Sequence, residues 1–306
     1  MQPASRLSIV LALGVVYVVW GSTYLAIRFA VESLPPFSMA AVRFLVAGAL
    51  LYGWARLGGA PKPHATHWRS AALVGLLLLL GGNGAVVWAQ QSIDSSMAAL
   101  LVTTTPLWMV LYAWALYGQR PSGGVLLGVL LGFGGTALLI GPGTLGEDEL
   151  LPALVVVGGA ASWALGSVLG QRIERVPQPL LGSGMEMLVG GVGLLLLGIA
   201  SGEFARFDPT SVRAASIGGL AYLVVAGSLL GFSTYSWLLR HAPISVVSTY
   251  AYVNPVVAVW LGWFVAGEAL SLRAGVASAI VVGSVALITT LQRTGRRAPS
   301  GQGANR

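Results

Sequence analysis

The chain alternates long apolar stretches with short polar ones. An α-helix needs about 20 mainly apolar residues to cross the hydrocarbon core of a bilayer. Ten stretches meet or approach that length: 8–30, 38–56, 70–91, 96–117, 123–141, 151–172, 179–200, 214–238, 245–267 and 273–291. Several fall short of the ideal or are interrupted by glycine, which membrane helices use where backbones approach closely. The longest connections, 57–69 and 201–213, are too short to form a domain outside the membrane. The first stretch ends in Gly21-Ser22-Thr23-Tyr24 and then Arg28. It is too long and too polar at that end for a cleaved leader and is read as a retained span. The pattern predicts an all-α integral membrane protein with ten transmembrane helices.

Composition sharpens this. Of 306 residues, 56% are hydrophobic and 9% charged, and mean hydropathy is +0.80. A soluble domain carries about 25% charged residues, so this chain lacks the charge to coat a water-facing surface. It has no cysteine, which excludes disulfides and thiolate metal sites. His64, His67 and His241 all fall in connections, so no histidine metal cluster is expected within a helix. Neither a metal nor a cofactor is expected.

The net charge of +7 would point to nucleic acid on a soluble protein. Here its distribution speaks of orientation instead. With the N-terminus inside, twelve of the 17 basic residues fall on the cytoplasmic side. They are Arg6, Arg56, Lys62, Arg69, Arg120, Arg172, Arg175, Arg240 and, in the tail, Arg293, Arg296, Arg297 and Arg306. Three (Arg206, Arg213, Arg273) fall outside, and Arg28 and Arg43 lie within spans. Glu147, Asp148 and Glu149 fall in an outer loop. The positive-inside rule then puts both termini in the cytoplasm. The expected partners are the lipid bilayer and a small-molecule substrate, with no nucleic acid.

The two halves resemble each other. At an offset of 149 residues, Trp88 meets Trp237, Ser96 meets Ser245, Pro106 meets Pro255, Gly118 meets Gly267, Ser122 meets Ser271 and Gly134 meets Gly283. Near the start, Gly21-Ser22 matches Gly166-Ser167. Residues 36–48 match 179–191, with Arg43 opposite Glu186. Each half holds five spans, an odd number, so the second must enter the membrane inverted. Units of 8–141 and 151–291, followed by a basic cytoplasmic tail at 292–306, are expected. Inverted repeats are a recurrent architecture of secondary transporters, with the substrate site at the midplane between them.

Residues 18–24 (Val-Val-Trp-Gly-Ser-Thr-Tyr), Val42-Arg43-Phe44 and the paired Thr105-Pro106 and Asn254-Pro255 carry a resemblance to the EamA family of the drug/metabolite transporter superfamily. The segment WGSTYLAIRF at 20–29 is most similar to its YedA-type branch. The likeness spans roughly 8–291 as two tandem units. It implies a ten-helix inverted-repeat fold with a central cavity, a bacterial inner-membrane location, and export of metabolites or toxic compounds. Many first repeats of the family carry Gly-Glu after the fourth helix. This chain has Gly118-Gln119 there and keeps Gly267-Glu268 only in the second half.

Candidate site residues follow from polar groups inside apolar stretches. Tyr17, Gly21, Tyr24 and Arg28 step by four, three and four, one face of a helix, with Trp20 beside them. That face either lines a cavity or, at Tyr24 and Arg28, anchors in the outer interface. Glu32 stands one turn beyond Arg28, where it can pair. Arg43 and Glu186 are charges that lipid disfavours. Arg43 either holds helix ends or meets an anionic substrate group. Glu186 either pairs with an arginine, Arg43 foremost, or takes up and releases a proton, since burial favours its neutral form. Pro106 and Pro255 should bend or open their helices, exposing Thr104, Thr105, Tyr252 and Asn254 to a cavity. Asn83, Trp163 and Tyr235 complete the expected lining. Trp88, Gln90, Gln91 and Trp237 belong to the same expected lining or anchor in packing and the interface, and the repeat-matched Trp88 and Trp237 near helix ends also suit belt or gating positions.

An enzyme is not expected. No His-x-x-x-His, Glu-x-x-His or paired aspartates occur within spans, and no P-loop for direct use of ATP. A secondary transporter exporting small metabolites, amino acids or drugs by alternating access fits best, with proton coupling as one mode. A passive facilitator or channel is the alternative.

Overall fold

The computed structural model describes residues 5–93, 95–140, 147–174, 176–266 and 272–295. Among them the regular structure is entirely helical: α1 Arg6–Val31, α2 Pro36–Leu57, α3 Ala65–Ala89, α4 Ser95–Val102, α5 Thr105–Tyr117, α6 Gly123–Ile140, α7 Leu150–Gly170, α8 Pro179–Ala200, α9 Ala214–His241, α10 Ile244–Val247, α11 Tyr250–Ala266 and α12 Leu272–Gly295. Helices suit this composition because each satisfies its own backbone hydrogen bonds, which lipid cannot do. Seven helical stretches are long and apolar enough to cross a membrane. Three further apolar stretches, Gly123–Gly135, Ile244–Val257 and Gly275–Ile288, are shorter. The Gly267-Glu268 motif and the tail beyond residue 295 lie outside the described residues.

Two helix pairs organise the packing, α2 with α8 and α6 with α12. Both pairs join repeat-related segments, and both run antiparallel. Along α2 and α8, Ser38 meets Gly198, Leu45 meets Gly191, and Gly48 meets Gly184, so rising numbers on one helix meet falling numbers on the other. Along α6 and α12, Gly124 meets Leu291, Gly128 meets Ile288, and Gly135 meets Ile280. The remaining contacts come as exchanged pairs. α1 packs on α9 as α7 packs on α3, and α1 packs on α11 as α7 packs on α5. Swapping the halves maps these contacts onto one another, the arrangement that inverted repeats require.

Glycine makes the first pair possible. A methyl group on Gly184 would stand 2.8 Å from the Tyr52 amide nitrogen, and one on Gly48 would stand 2.9 Å from that of Leu188. Backbones this close gain dispersion contacts, which take over where the hydrophobic effect is absent. Both helices begin with proline at the first position (Pro36 and Pro179), where a missing N–H costs nothing. The start of α2 also receives a carboxylate from the other half. Glu203, buried at the start of a one-turn helix (Glu203–Arg206) after α8, accepts from Phe37 N at 2.9 Å, Ser38 N at 2.8 Å and Ser38 Oγ at 2.6 Å. It satisfies amides that the helix leaves open and sits at the positive end of the helix dipole.

In the second half the chain does not open at the proline. In the first half the chain does break, at Thr103-Thr104, and Pro106 starts α5 directly afterwards. In the second half the break falls at Ser248-Thr249, and Pro255 lies inside the continuous helix α11. A proline within a helix frees one carbonyl without forcing the helix to end. The interruption occurs instead where Ser248 and Thr249 hydroxyls donate to Ser245 O and Val246 O, offering the backbone an alternative to the helix ladder.

A second irregularity was not foreseen. Within α3, residues Leu76–Asn83 form a π-helix, and within α9, residues Leu223–Phe232 do the same. Under the 149-residue offset the first falls on 225–232, inside the second.

Two outcomes test this packing. Gly184→Ala should lower the thermal midpoint of the purified protein, at a cost of about 1–3 kcal/mol from overpacking. Gly53→Ala, on the same pair of helices but with open space around it, should not. Glu203→Ala should cost about 1 kcal/mol, the range of a lost helix N-cap. A midpoint for Glu203→Ala equal to wild type would show that the cap contributes nothing.

Candidate functional site

Eight helices converge on one central cavity of about 80 Å³, with Val102 entering from α4. α1 contributes Trp20, Thr23, Tyr24 and Ile27; α2 contributes Arg43 and Phe44; and α7 contributes Gly159, Ala160 and Trp163. The π segment of α3 supplies Leu79, Gly82 and Asn83, and that of α9 supplies Gly227 and Phe232. Thr105 enters from α5 and Tyr250 and Asn254 from α11. A space of this size holds a few waters or a very small solute.

The wide turns shape the cavity in a symmetric way. A π turn spreads the backbone and is found most often at functional sites. Each receives a tryptophan from the opposite half. Trp163 of α7 lies against Gly82, where a methyl group would stand 2.8 Å from its ring. Trp20 of α1 lies against Gly231, and its indole N–H donates to Gly227 O at 3.1 Å. Gly82 and Gly231 are partners under the repeat offset. Only glycine leaves room for an indole there.

Beneath the cavity the aromatic rings interlock. Trp20 stands 5.4 Å from Trp163, 4.9 Å from Tyr235 and 5.1 Å from Tyr250, and Tyr235 stands 5.5 Å from Tyr250. Edge-on and tilted geometries of this kind add to the area buried. Two hydrogen-bonded clamps close this floor. Trp163 Nε1–H donates to the Tyr235 hydroxyl at 3.0 Å, Tyr235 shares a 2.6 Å bond with Ser167, and Ser167 donates to Trp163 O at 2.7 Å. Because the serine proton is committed to the carbonyl, Tyr235 is the donor to Ser167. The second clamp is Tyr17 on Thr249, 2.6 Å apart, at the break before α11. Thr249 already donates to Val246 O, so the tyrosine donates here too. With its amide turned so that the nitrogen faces the carbonyls, Asn254 donates to Tyr250 O at 3.0 Å and Tyr17 O at 3.3 Å.

Three helices agree on what lies below. One turn past Tyr235, Leu239 lines a second, larger cleft of about 640 Å³. Gln171 does so one turn past Ser167, and Ser245 does so one turn before Thr249. That cleft carries Arg120, Arg172, Arg240 and His241. The Tyr235 and Tyr17 layer therefore separates the central cavity from a basic mouth. At the opposite end, Arg28, Glu32, Gln90 and Gln91 line a separate pocket of about 490 Å³.

The charges are placed unequally. Arg43 is 4% exposed. Its Nε donates to Ser228 Oγ at 2.8 Å, its guanidinium lies 4.6 Å from the Phe44 ring centroid, and its Nη1 has no hydrogen-bond partner. Gly227 gives it room, for a methyl group there would stand 2.8 Å from Nη2. Glu186 is 3% exposed and lies away from the lining, where it accepts from Ser236 Oγ at 3.4 Å. The Arg240 guanidinium approaches the same helix face at Gly182, one turn from Glu186. The repeat-mates Arg43 and Glu186 thus engage different hydroxyls of α9.

Of the residues anticipated from sequence, Trp20, Tyr24, Arg43, Asn83, Thr105, Trp163 and Asn254 line the cavity, and Tyr17 and Tyr235 close its floor. Others lie elsewhere. Arg28 is exposed at the end of α1. Glu32 pairs with Arg213 at 3.3 Å. The Thr104 hydroxyl turns back to Leu101 O. Tyr252 faces away, its ring against Gly132 and its hydroxyl donating to Val129 O at 3.0 Å. The cavity face of α1 is Trp20-Thr23-Tyr24-Ile27, about one residue out of phase with the predicted stripe. Tyr250, Ser167, Thr249 and Ser228 were not anticipated. Their signal is weak, because a hydroxyl in a span is usually absorbed by its own backbone.

The comparisons with known proteins agree with this architecture. The EamA-like transporter family model matches residues 6–141 and again 150–290. The chain is 38% identical to the "Uncharacterized inner membrane transporter YedA" of Escherichia coli (strain K12), over 91% of this chain and 89% of that one. It is 24% identical to the "Uncharacterized transporter YvbV" of Bacillus subtilis, over 98% of this chain and 96% of that one. A crystal structure of another protein shares the fold at a TM-score of 0.77, with 24% identity, covering 94% of this chain and 100% of that one. The twofold family match and the full-length likeness establish that the chain belongs to the EamA-like transporter family and is a multi-pass membrane transporter.

Proposed function

We propose that this chain is a secondary carrier of the bacterial inner membrane. It exports small metabolites, amino acids or drugs by alternating access between units 8–141 and 151–291. In this reading ten helices span the bilayer, the three shorter apolar stretches among them, with both termini in the cytoplasm. The basic cleft is then the cytoplasmic mouth, as the positive-inside distribution supports. One observation carries the proposal: a small central cavity between two inverted halves, with a hydrogen-bonded tyrosine layer between it and a basic cleft. A pore would need a continuous path. A carrier needs a barrier that can be made and broken, and Tyr235 and Tyr17 supply one of modest strength.

Transport begins when this floor parts. Tyr235 leaves Ser167, Tyr17 leaves Thr249, and cargo enters from the basic cleft. Each neutral hydrogen bond contributes about 1 kcal/mol net, so thermal motion and cargo binding suffice to exchange them. The matched wide turns in α3 and α9 give both halves compliant walls. Glu186, buried beside α9, is the group placed to couple proton movement to this exchange.

The decisive test is transport in proteoliposomes, using a cargo identified by growth resistance on overexpression. Flux should saturate with concentration and accelerate under a pH gradient, and Glu186→Gln should remove the acceleration alone. Saturable flux that ignores the gradient would identify a uniporter, and flux that never saturates would identify a channel. Tyr235→Phe removes the hydroxyl that joins Trp163 to Ser167 and should raise passive leak of preloaded cargo several-fold. Reporter fusions should place residue 148 outside and residue 120 inside.

A further inference from the structure

We infer that the central cavity is an anion-receiving site, and that the cargo carries a carboxylate bound by Arg43. This rests on the reading of the cavity as the cargo chamber.

The argument begins with what the cavity lacks. Among the described residues lining it, Arg43 is the one charged side chain, and no aspartate or glutamate faces it. A guanidinium out of water needs either an anion or a full set of acceptors. Here Ser228 takes Nε, and Nη1 is buried with no acceptor. A purely structural arginine would spend its fork on carbonyls or a carboxylate. This one leaves Nη1 without an acceptor while its side chain borders the central cavity. The room for it is built in, since Gly227 lies beside Nη2.

The chemistry of the ligand follows. Guanidinium donors match the two oxygens of a carboxylate in geometry as well as charge. A phosphate would carry a second charge that no other cation in the lining offsets. Trp20, Tyr24 and Trp163 give the remainder of the cargo apolar walls, and Asn83 Oδ1, buried and without a donor, can receive one hydroxyl or amine. The preferred class is a monoanionic organic acid with an apolar body.

A short carboxylate probes the site without requiring the true cargo, because propionate is small enough for the existing space. The purified full-length protein is titrated at constant ionic strength with propionate, propionamide, propylammonium and chloride. Thermal midpoints are followed, together with phenylglyoxal modification of Arg43 resolved by peptide mass spectrometry. Propionate should raise the midpoint saturably and slow modification of Arg43, while the other three should do neither. Arg43→Gln should abolish the midpoint response, and Arg43→Lys should keep it with a half-saturation weaker by about tenfold, one lost charged hydrogen bond. If Arg43→Gln does not fold, protection of Arg43 in the unmodified protein decides the matter. An equal response to propionamide or chloride, no response to propionate, or a response that survives Arg43→Gln would overturn the assignment. Propionate binding without counterflow of any acid would keep the anion site and remove the carrier. Saturable transport of an uncharged cargo with no propionate binding would do the reverse.

Discussion

The close antiparallel contact of α2 with α8 is the constraint on which the rest depends. It joins the same segment of each half, back to back, at a distance that only hydrogen side chains permit at Gly48 and Gly184. Once that contact forms, the positions of Arg43 and Glu186 are set, because both project from these helices toward α9. The second self-related pair, α6 with α12, closes the opposite flank through Gly124, Gly128 and Gly135. Between the two seams the remaining helices cross over, α1 onto α9 and α11, and α7 onto α3 and α5. The cavity is what those crossings leave unfilled.

Because the seams are glycine-lined, the interface relies on shape and little on polar attraction. Glu203 is the exception, and its placement is instructive. It reaches from the second half to the open amides at the start of α2, at one edge of the bundle. A carboxylate there locks the end of a helix without putting charge near the chamber. Among the described residues, the chamber lining holds Arg43 as its one cation. The tyrosine bonds of its floor are made between neutral groups, so they can be exchanged without moving charge through lipid.

The gross architecture was legible because it rests on repeated, strong signals. Long apolar stretches and one constant offset each reflect a large energetic penalty for the alternative. Trp20, Tyr24, Arg43, Asn83 and Trp163 were legible for the same reason, since polar or bulky groups in a span need a place away from lipid. The phase of α1 was not. A helix that carries Tyr17, Gly21 and Arg28 on one stripe has a second polar stripe through Thr23, and packing on α9 and α11 chose between them. Tyr252 and Asn254 sit two residues apart, so they point to different sides, and only Asn254 could face the chamber once Tyr250 did. At Pro255 the helix runs on, because a proline removes one donor but does not by itself end a helix. The hydroxyls of Ser248 and Thr249, a weaker signal, marked the real break.

The paired wide turns in α3 and α9 carry a mechanical implication. Each holds one residue more per turn than the helix on either side, a defect that can travel along the rod without being lost. Moving it past a given side chain swings that side chain by about 100° around the axis, enough to take it off one wall and set it on another. Two such defects, placed alike in mirrored rods, would let the walls be re-faced by sliding slack, with no hinge and no broken span.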